Sequence, residues 1–141
     1  MNYSNYARQG FRYSVAPITI AADQTAETVE GAGIDLKGFE SATFIIAIGA
    51  ALVTTDADYK LQESADNITF TDVAAADIVG DDTILSLTNT TGANKVLKKG
   101  YIGTKRYIRI YLTITTGSGG SWPHSVLAAL GNPRQAPVAS A

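Results

Sequence analysis

Between residues 106 and 115 the chain alternates strictly. Ile108, Ile110, Leu112 and Ile114 fall on one side, and Tyr107, Arg109, Tyr111 and Thr113 on the other. A period of two over eight residues is the pattern of a half-buried β-strand, and a helix does not produce it. The same period places Tyr59, Leu61 and Glu63 on one face, and it returns over residues 68–73. Ala65-Asp66-Asn67 between them is turn chemistry, so the two runs predict a hairpin. Residues 41–48 are different. Thr43, Phe44, Ile45, Ile46 and Ile48 make a nearly unbroken apolar run, which predicts a central strand covered on both faces.

Weaker signals complete the series. Residues 15–20 contain Pro17 and read as an edge strand or a strand start. Residues 28–36 carry Gly31 and Gly33 and read as a strand, a turn or bulge, and a short strand. Residues 83–88, 95–98 and 122–130 read as further strands, and 89–94 as a loop. Residues 74–82 fit either one helical turn or an acidic loop. The total is about eight short strands with no internal repeat. That predicts an all-β antiparallel sandwich, an eight-stranded jelly roll first and an immunoglobulin-like sandwich second.

The length of 141 residues predicts one domain, placed at 15–131. Residues 132–141 hold two prolines without periodicity and read as an extended tail. Residues 1–14 fit neither period and read as an extended arm. They contain Tyr3, Tyr6, Phe11 and Tyr13 with Arg8 and Arg12, and no acid. Frayed tails are usually poor in aromatics. The segment is therefore either a loose terminus or an arm that packs on a neighbouring chain. It has no apolar run of the kind a signal peptide carries. No stretch reaches the 18 or more apolar residues of a membrane helix, so no membrane partner is expected.

Composition removes several chemistries. With no cysteine there is no disulfide framework, thiolate metal site or thiol nucleophile. The single histidine, His124, follows Pro123 in a predicted strand. It reads as a strand histidine beside the Gly/Ser loop 117–121 rather than as a catalytic base. Asp77, Asp81 and Asp82, and the pair Asp56 and Asp58, match no calcium-loop spacing, so a solvated turn is the plainer reading. The loop 117–121 lacks the Lys-Ser/Thr ending of a phosphate loop. No catalytic residue, metal ligand or cofactor site is expected, and the chain does not read as an enzyme.

Charge adds one feature. Eleven Lys+Arg against thirteen Asp+Glu sum to −2, which argues against a nucleic-acid partner. All thirteen acids lie at or before Asp82, and the basic stretch Lys95, Lys98, Lys99, Lys105, Arg106 and Arg109 follows. It reads first as a basic edge that discourages strand pairing, second as a face that meets an acidic neighbouring subunit, and third as a nucleic-acid surface. Charged residues are only 17% of the chain, so part of the surface is expected to be covered by a partner.

Three stretches carry a family resemblance. Residues 58–73, DYKLQESADNITFTDV, resemble the leu-x-glu-ser-x-asp-gly-x-thr-phe-x-asp-val hairpin of small phage structural proteins, with Asn67 where that pattern favours Gly. Residues 99–109, KGYIGTKRYIR, resemble their gly-tyr-x-gly-x-lys-arg-tyr-x-arg approach to a central strand. Residues 129–138, ALGNPRQAPV, resemble their gly-x-pro-arg-x-ala-pro ending. The resemblance implies a virion protein of tailed bacteriophages, made in the bacterial cytoplasm, and best fits a decoration (cement) protein. Such a protein sits on the capsid surface as a homotrimer, with the major capsid protein as partner. A head–tail connector or tail subunit is the alternative, and a carbohydrate-binding β-sandwich using Trp122 a more distant one. The expected interface residues are Tyr3, Tyr6, Arg8, Phe11, Arg12, Tyr13 and Trp122, since Tyr, Trp and Arg lead at interface hot spots.

Overall fold

The computed structural model describes residues 9–20, 27–50, 55–80, 84–116 and 120–134. These form β1 (Gly10–Ile20), β2 (Glu27–Glu30), β3 (Ile34–Asp35), β4 (Phe39–Ile48), β5 (Thr55–Ser64), β6 (Thr71–Asp72), β7 (Ile78–Val79), β8 (Ile84–Thr88), β9 (Lys95–Tyr101), β10 (Tyr107–Thr116) and β11 (Trp122–Pro133). One sheet has the order β1-β11-β4-β9-β7. The other has the order β2-β10-β5-β6, with β3 also on β10 and β8 also on β5. All pairings are antiparallel, and the two sheets form the expected all-β sandwich. Among the described residues, three strands have two residues and eight have four or more.

The core lies between the sheets. Ile108, Ile110, Leu112 and Ile114 of β10 are all fully buried, as the alternation requires. They face Phe44 and Ile46 of β4 and Val126, Ala128 and Leu130 of β11 in one continuous cluster. Each large apolar side chain removed from water in this way contributes about 1.5–3 kcal/mol. Ser14 ties the sheets together at one edge. Its Oγ accepts from the Ile110 amide at 3.2 Å, and its carbonyl accepts from the Ala32 amide at 2.7 Å. Gly31 lies against this crossing. A Cβ there would stand 2.9 Å from the Ile110 carbonyl oxygen, so no larger residue fits without a shift.

β1 is an edge strand, with register shifts between Tyr13 and Val15 and between Val15 and Ile18. It begins at Gly10, so Phe11, Arg12, Tyr13 and Ser14 of the expected arm belong to the sheet. Tyr3, Tyr6 and Arg8 lie outside the described residues, as do residues 135–141 of the tail.

The hairpin is shorter than the alternation suggests. Asp66 Oδ1 accepts from the Ile68 and Thr69 amides, both at 2.9 Å, which commits those donors to the turn rather than to a ladder. Only Thr71 and Asp72 then pair with β5. Asn67 has φ +62°, the left-handed conformation that a glycine would take there. Asn89–Gly92, expected as a loop, makes one helical turn, α1. Thr88 and Thr91 form a capping box in which a Thr takes the place of the usual Glu or Gln. The ambiguous segment after residue 74 contains a 3-10 turn at Ala75–Asp77 followed by β7.

Candidate docking face

The two sheets present opposite kinds of surface to the outside. Paired residues of antiparallel strands point to the same side, so the registers define each outer face row by row. On the β10 sheet the rows are charged. Arg109 Nη1 meets Glu30 Oε2 at 2.8 Å, and its Nε and Nη2 donate to Gln62 Oε1 at 3.0 and 2.8 Å. Gln62 Nε2 donates to Asp72 Oδ1, and Lys60 Nζ to Asp72 Oδ2, both at 2.8 Å. Lys60 also lies 4.7 Å over the Tyr111 ring, and Arg109 lies 4.2 Å over Phe70. Exposed ion pairs are worth little in stability, about 0–1 kcal/mol each. What the network does is leave this face with its polar groups satisfied in water.

The outer face of the other sheet is nearly free of charge. One row runs Phe11, Ala129, Thr43, Gly100, Val79. The next runs Tyr13, Leu127, Ile45, Lys98, and the third Ser125, Ala47, Val96. Lys98 is the one charged residue in these rows. Phe11, Tyr13, Val79 and Val96 are 45–70% exposed. From Thr43 to Ala47 of β4 at about 3.3 Å per residue, across four strands about 4.8 Å apart, these rows span roughly 17 by 19 Å, or about 300 Å². The patch is largely apolar, broken by Thr43, Ser125 and Lys98, and its size is that of the largest patch on many monomers, which is often functional. The central strand expected to be covered on both faces is thus covered by this chain's described residues on one.

The interface residues expected from the sequence separate. Phe11 and Tyr13 lie on the rim of this face. Arg12 is exposed on the same strand, and its Nη1 donates to the Phe11 carbonyl at 2.8 Å. Trp122 is fully buried and presents no surface to a partner or a sugar. Its indole Nε1 donates to Tyr59 Oη at 2.7 Å, and burial pushes the Tyr59 hydroxyl pKa far above its ordinary value. The same face also carries Ile45, Leu127 and Val96, which sequence reasoning did not single out because the strands of the first two are apolar at nearly every step.

His124 is buried, with Nδ1 3.2 Å from the Trp122 carbonyl and its ring edge-on to Tyr59. Burial lowers its pKa, so it stays neutral at neutral pH. Its Nε2 has no hydrogen-bond partner among the described residues. Those residues include no group of three His, Asp or Glu placed to hold a metal, and no helix long and apolar enough to cross a membrane.

The acid-free stretch after Asp82 does not form a basic face of its own. Arg106 makes a double contact with Asp35 at 3.0 and 2.7 Å, Arg109 meets Glu30, and Arg134 approaches Glu40 at 3.7 Å. Each pair joins a late cation to an early acid, because β10 lies beside β2 and β3, and β11 beside β4. The Arg106 guanidinium holds the Asp35 carboxyl below its usual range, as Lys60 and Gln62 do for Asp72. Lys99 is buried, with only 3% of its surface exposed.

The structure therefore defines a two-sheet antiparallel sandwich with one hydrated and one apolar outer face. No family model matches the chain, and no curated protein does. The solved structure of PBSX exported protein XepA is similar, with a TM-score of 0.55 over 99% of this chain at 12% identity. This chain spans 43% of the XepA chain. A protein of the disulfide-linked Bacillus endospore appendages is similar at a TM-score of 0.40, over 94% of this chain and 97% of that one, at 10% identity. The Tobacco streak virus coat protein is similar at 0.38, over 91% and 89%, at 11% identity. The likeness to XepA is one of fold.

Proposed function

We propose that this chain is a structural subunit of a tailed-phage virion, and within that class a decoration protein of the head. The observation that carries the reading is the largely apolar outer face of β1, β11, β4 and β9, with Lys98 its one charge, continuous with Phe11 and Tyr13 of the aromatic N-terminal segment. The three phage-like motifs support it independently. The strand order, β1-β11-β4-β9 facing β2-β10-β5-β8, supports reading the sandwich as a jelly roll. The partner is the major capsid protein, the subunit is a homotrimer on the capsid surface, and its work is burial rather than catalysis. A face of about 300 Å² is well short of the roughly 800 Å² per partner of a stable interface, so one copy alone would hold weakly. A trimer multiplies such contacts. A subunit that binds only the assembled shell stabilises that shell by mass action.

The test is to add purified protein to phage heads that lack it and to image them by electron microscopy. Density distributed over the shell, with heads that withstand heating better, is the expected result. Density confined to one vertex would instead favour the head–tail connector or tail reading. No density anywhere would reject both.

A further inference from the structure

The three phage-like stretches also meet at the end of the sandwich, beyond the docking-face rows at residues 43–47 of β4. There, where β4 begins and β11 ends, lies a cleft of about 550 Å³. It is bordered by Lys37, Lys105, Arg106 and Arg134, with Glu40 as the acid in its wall. Asp35 grips Arg106 and Glu40 faces Arg134. Four cations against two carboxylates leave 4 − 2 = +2 in a chain whose net charge is −2. Neither the Lys37 nor the Lys105 ammonium makes a direct salt bridge among the described residues, although Lys37 is near enough to Asp35 to help lower its carboxyl pKa.

The rim that carries Lys105 is built from beneath. Tyr101, 2% exposed, donates its hydroxyl to Glu63 Oε2 at 2.7 Å and accepts from the Lys105 amide at 3.0 Å. Glu63 comes from the hairpin stretch, Tyr101 and Lys105 from the second stretch, and Arg134 from the third. A Cβ at Gly103 would lie 2.6 Å from the Tyr101 ring, so only glycine lets the loop fold this closely over the tyrosine. On the opposite wall the Arg134 amide donates to the Gly38 carbonyl at 2.9 Å. Gly38 has φ +90° and open space where a side chain would stand. The backbone on both sides is thus pinned, and two lysines without a direct salt bridge border the gap.

We infer that this cleft is a binding site for an acidic protein segment, whose carboxylates pair with Lys37 and Lys105. The fixed backbone sets where the two lysine stems leave the rim, and their flexible ammonium groups can close on carboxylates lying between them. A nucleic acid fits less well: a long polyanion would meet the net negative charge of the chain.

The experiment titrates the full chain with a tetraglutamate peptide and with its tetraglutamine counterpart, followed by calorimetry at two salt concentrations. Saturable binding of tetraglutamate alone, weakened by salt, is expected. Lys37→Gln and Lys105→Gln should each weaken it roughly ten-fold, while Lys95→Gln, the same charge change elsewhere, leaves it unaltered. All three lysines are exposed, and unchanged melting curves would show that the variants fold. Equal loss in all three variants, or no saturable binding, overturns the site. Displacement of the peptide by a short single-stranded oligonucleotide that binds tighter overturns its assignment to a protein segment.

Discussion

Ile45 and Ile46 are neighbours in one apolar run, and the structure assigns them opposite fates. Ile46 points inward and is fully buried. Ile45 points outward between Leu127 and Lys98. Replacing each in turn by Asp tests the two-faced sandwich directly. At Ile46 the change forfeits about 1.5–3 kcal/mol of burial. It also leaves a carboxyl in the core, whose pKa must rise by roughly 3–5 units at 1.36 kcal/mol each, about 4–7 kcal/mol. The sum, about 6–10 kcal/mol, rivals the whole stability of a domain, about 5–15 kcal/mol. Ile46→Asp should therefore be unfolded, or melt more than 20 °C lower, at roughly 4 °C per kcal/mol for a chain of this size.

At Ile45 the carboxylate stays in water. The loss is one cross-strand contact and some strand propensity, about 1–1.5 kcal/mol together, or roughly 5 °C. Docking should respond in the opposite sense. A buried isoleucine lost and a carboxylate pressed on an apolar partner cost at least about 3 kcal/mol, more than a hundred-fold in affinity. Circular dichroism melts of the free proteins, followed by binding to heads, read both effects. If Ile45→Asp unfolds as completely as Ile46→Asp, both faces of β4 are covered within the free protein and the docking face does not exist.

Three further outcomes follow from the interior and the turns. Tyr59→Phe leaves the buried Trp122 indole N–H without an acceptor, and urea denaturation should show a loss of about 1–3 kcal/mol. His124 has a folded pKa below 6.5, so below that pH the unfolded chain takes up a proton that the folded chain refuses. Stability should fall as pH drops from 6.5 toward the folded value. His124→Gln should flatten that limb, leaving the separate acid loss of Asp35 and Asp72, whose pKa values lie below 3.8. The Thr69 and Ile68 amides hold the Asp66 carboxyl at about 2, so its contribution persists above pH 3.8 and is lost only as pH falls through about 2. Asp66→Ala should speed hydrogen exchange at the Ile68 and Thr69 amides and leave β10 protected.

The strands legible in the sequence are those whose pattern carries a phase. Residues 107–114 alternate, so the pattern alone separates their inner members from their outer ones. The Asp66 turn was equally legible, because an Asx residue followed by a left-handed Asn has few other uses. The Thr88–Thr91 box was not, since two threonines imitate what Thr and Glu usually do. Trp122 stands beside a Gly/Ser loop, where a tryptophan reads as either a buried anchor or an interface one. Only the position of Tyr59 across the core shows where its indole points.

By itself, then, the chain determined its class: β-strands from period two, and no thiol chemistry from its composition. It also held the apolar residues of the docking face, but without their orientation. A run such as Phe44-Ile45-Ile46 is apolar at every step and therefore has no phase. Which member meets the opposite sheet is set by register with β11 and β9, a property of the assembled sandwich. The charge split behaved the same way. Acids early and bases late suggested two faces along the chain, yet antiparallel pairing laid Arg106 against Asp35 and Arg109 against Glu30. It paired those late cations with early acids and turned the outer face of the β11 sheet, with Lys98 alone among its charges, toward solvent.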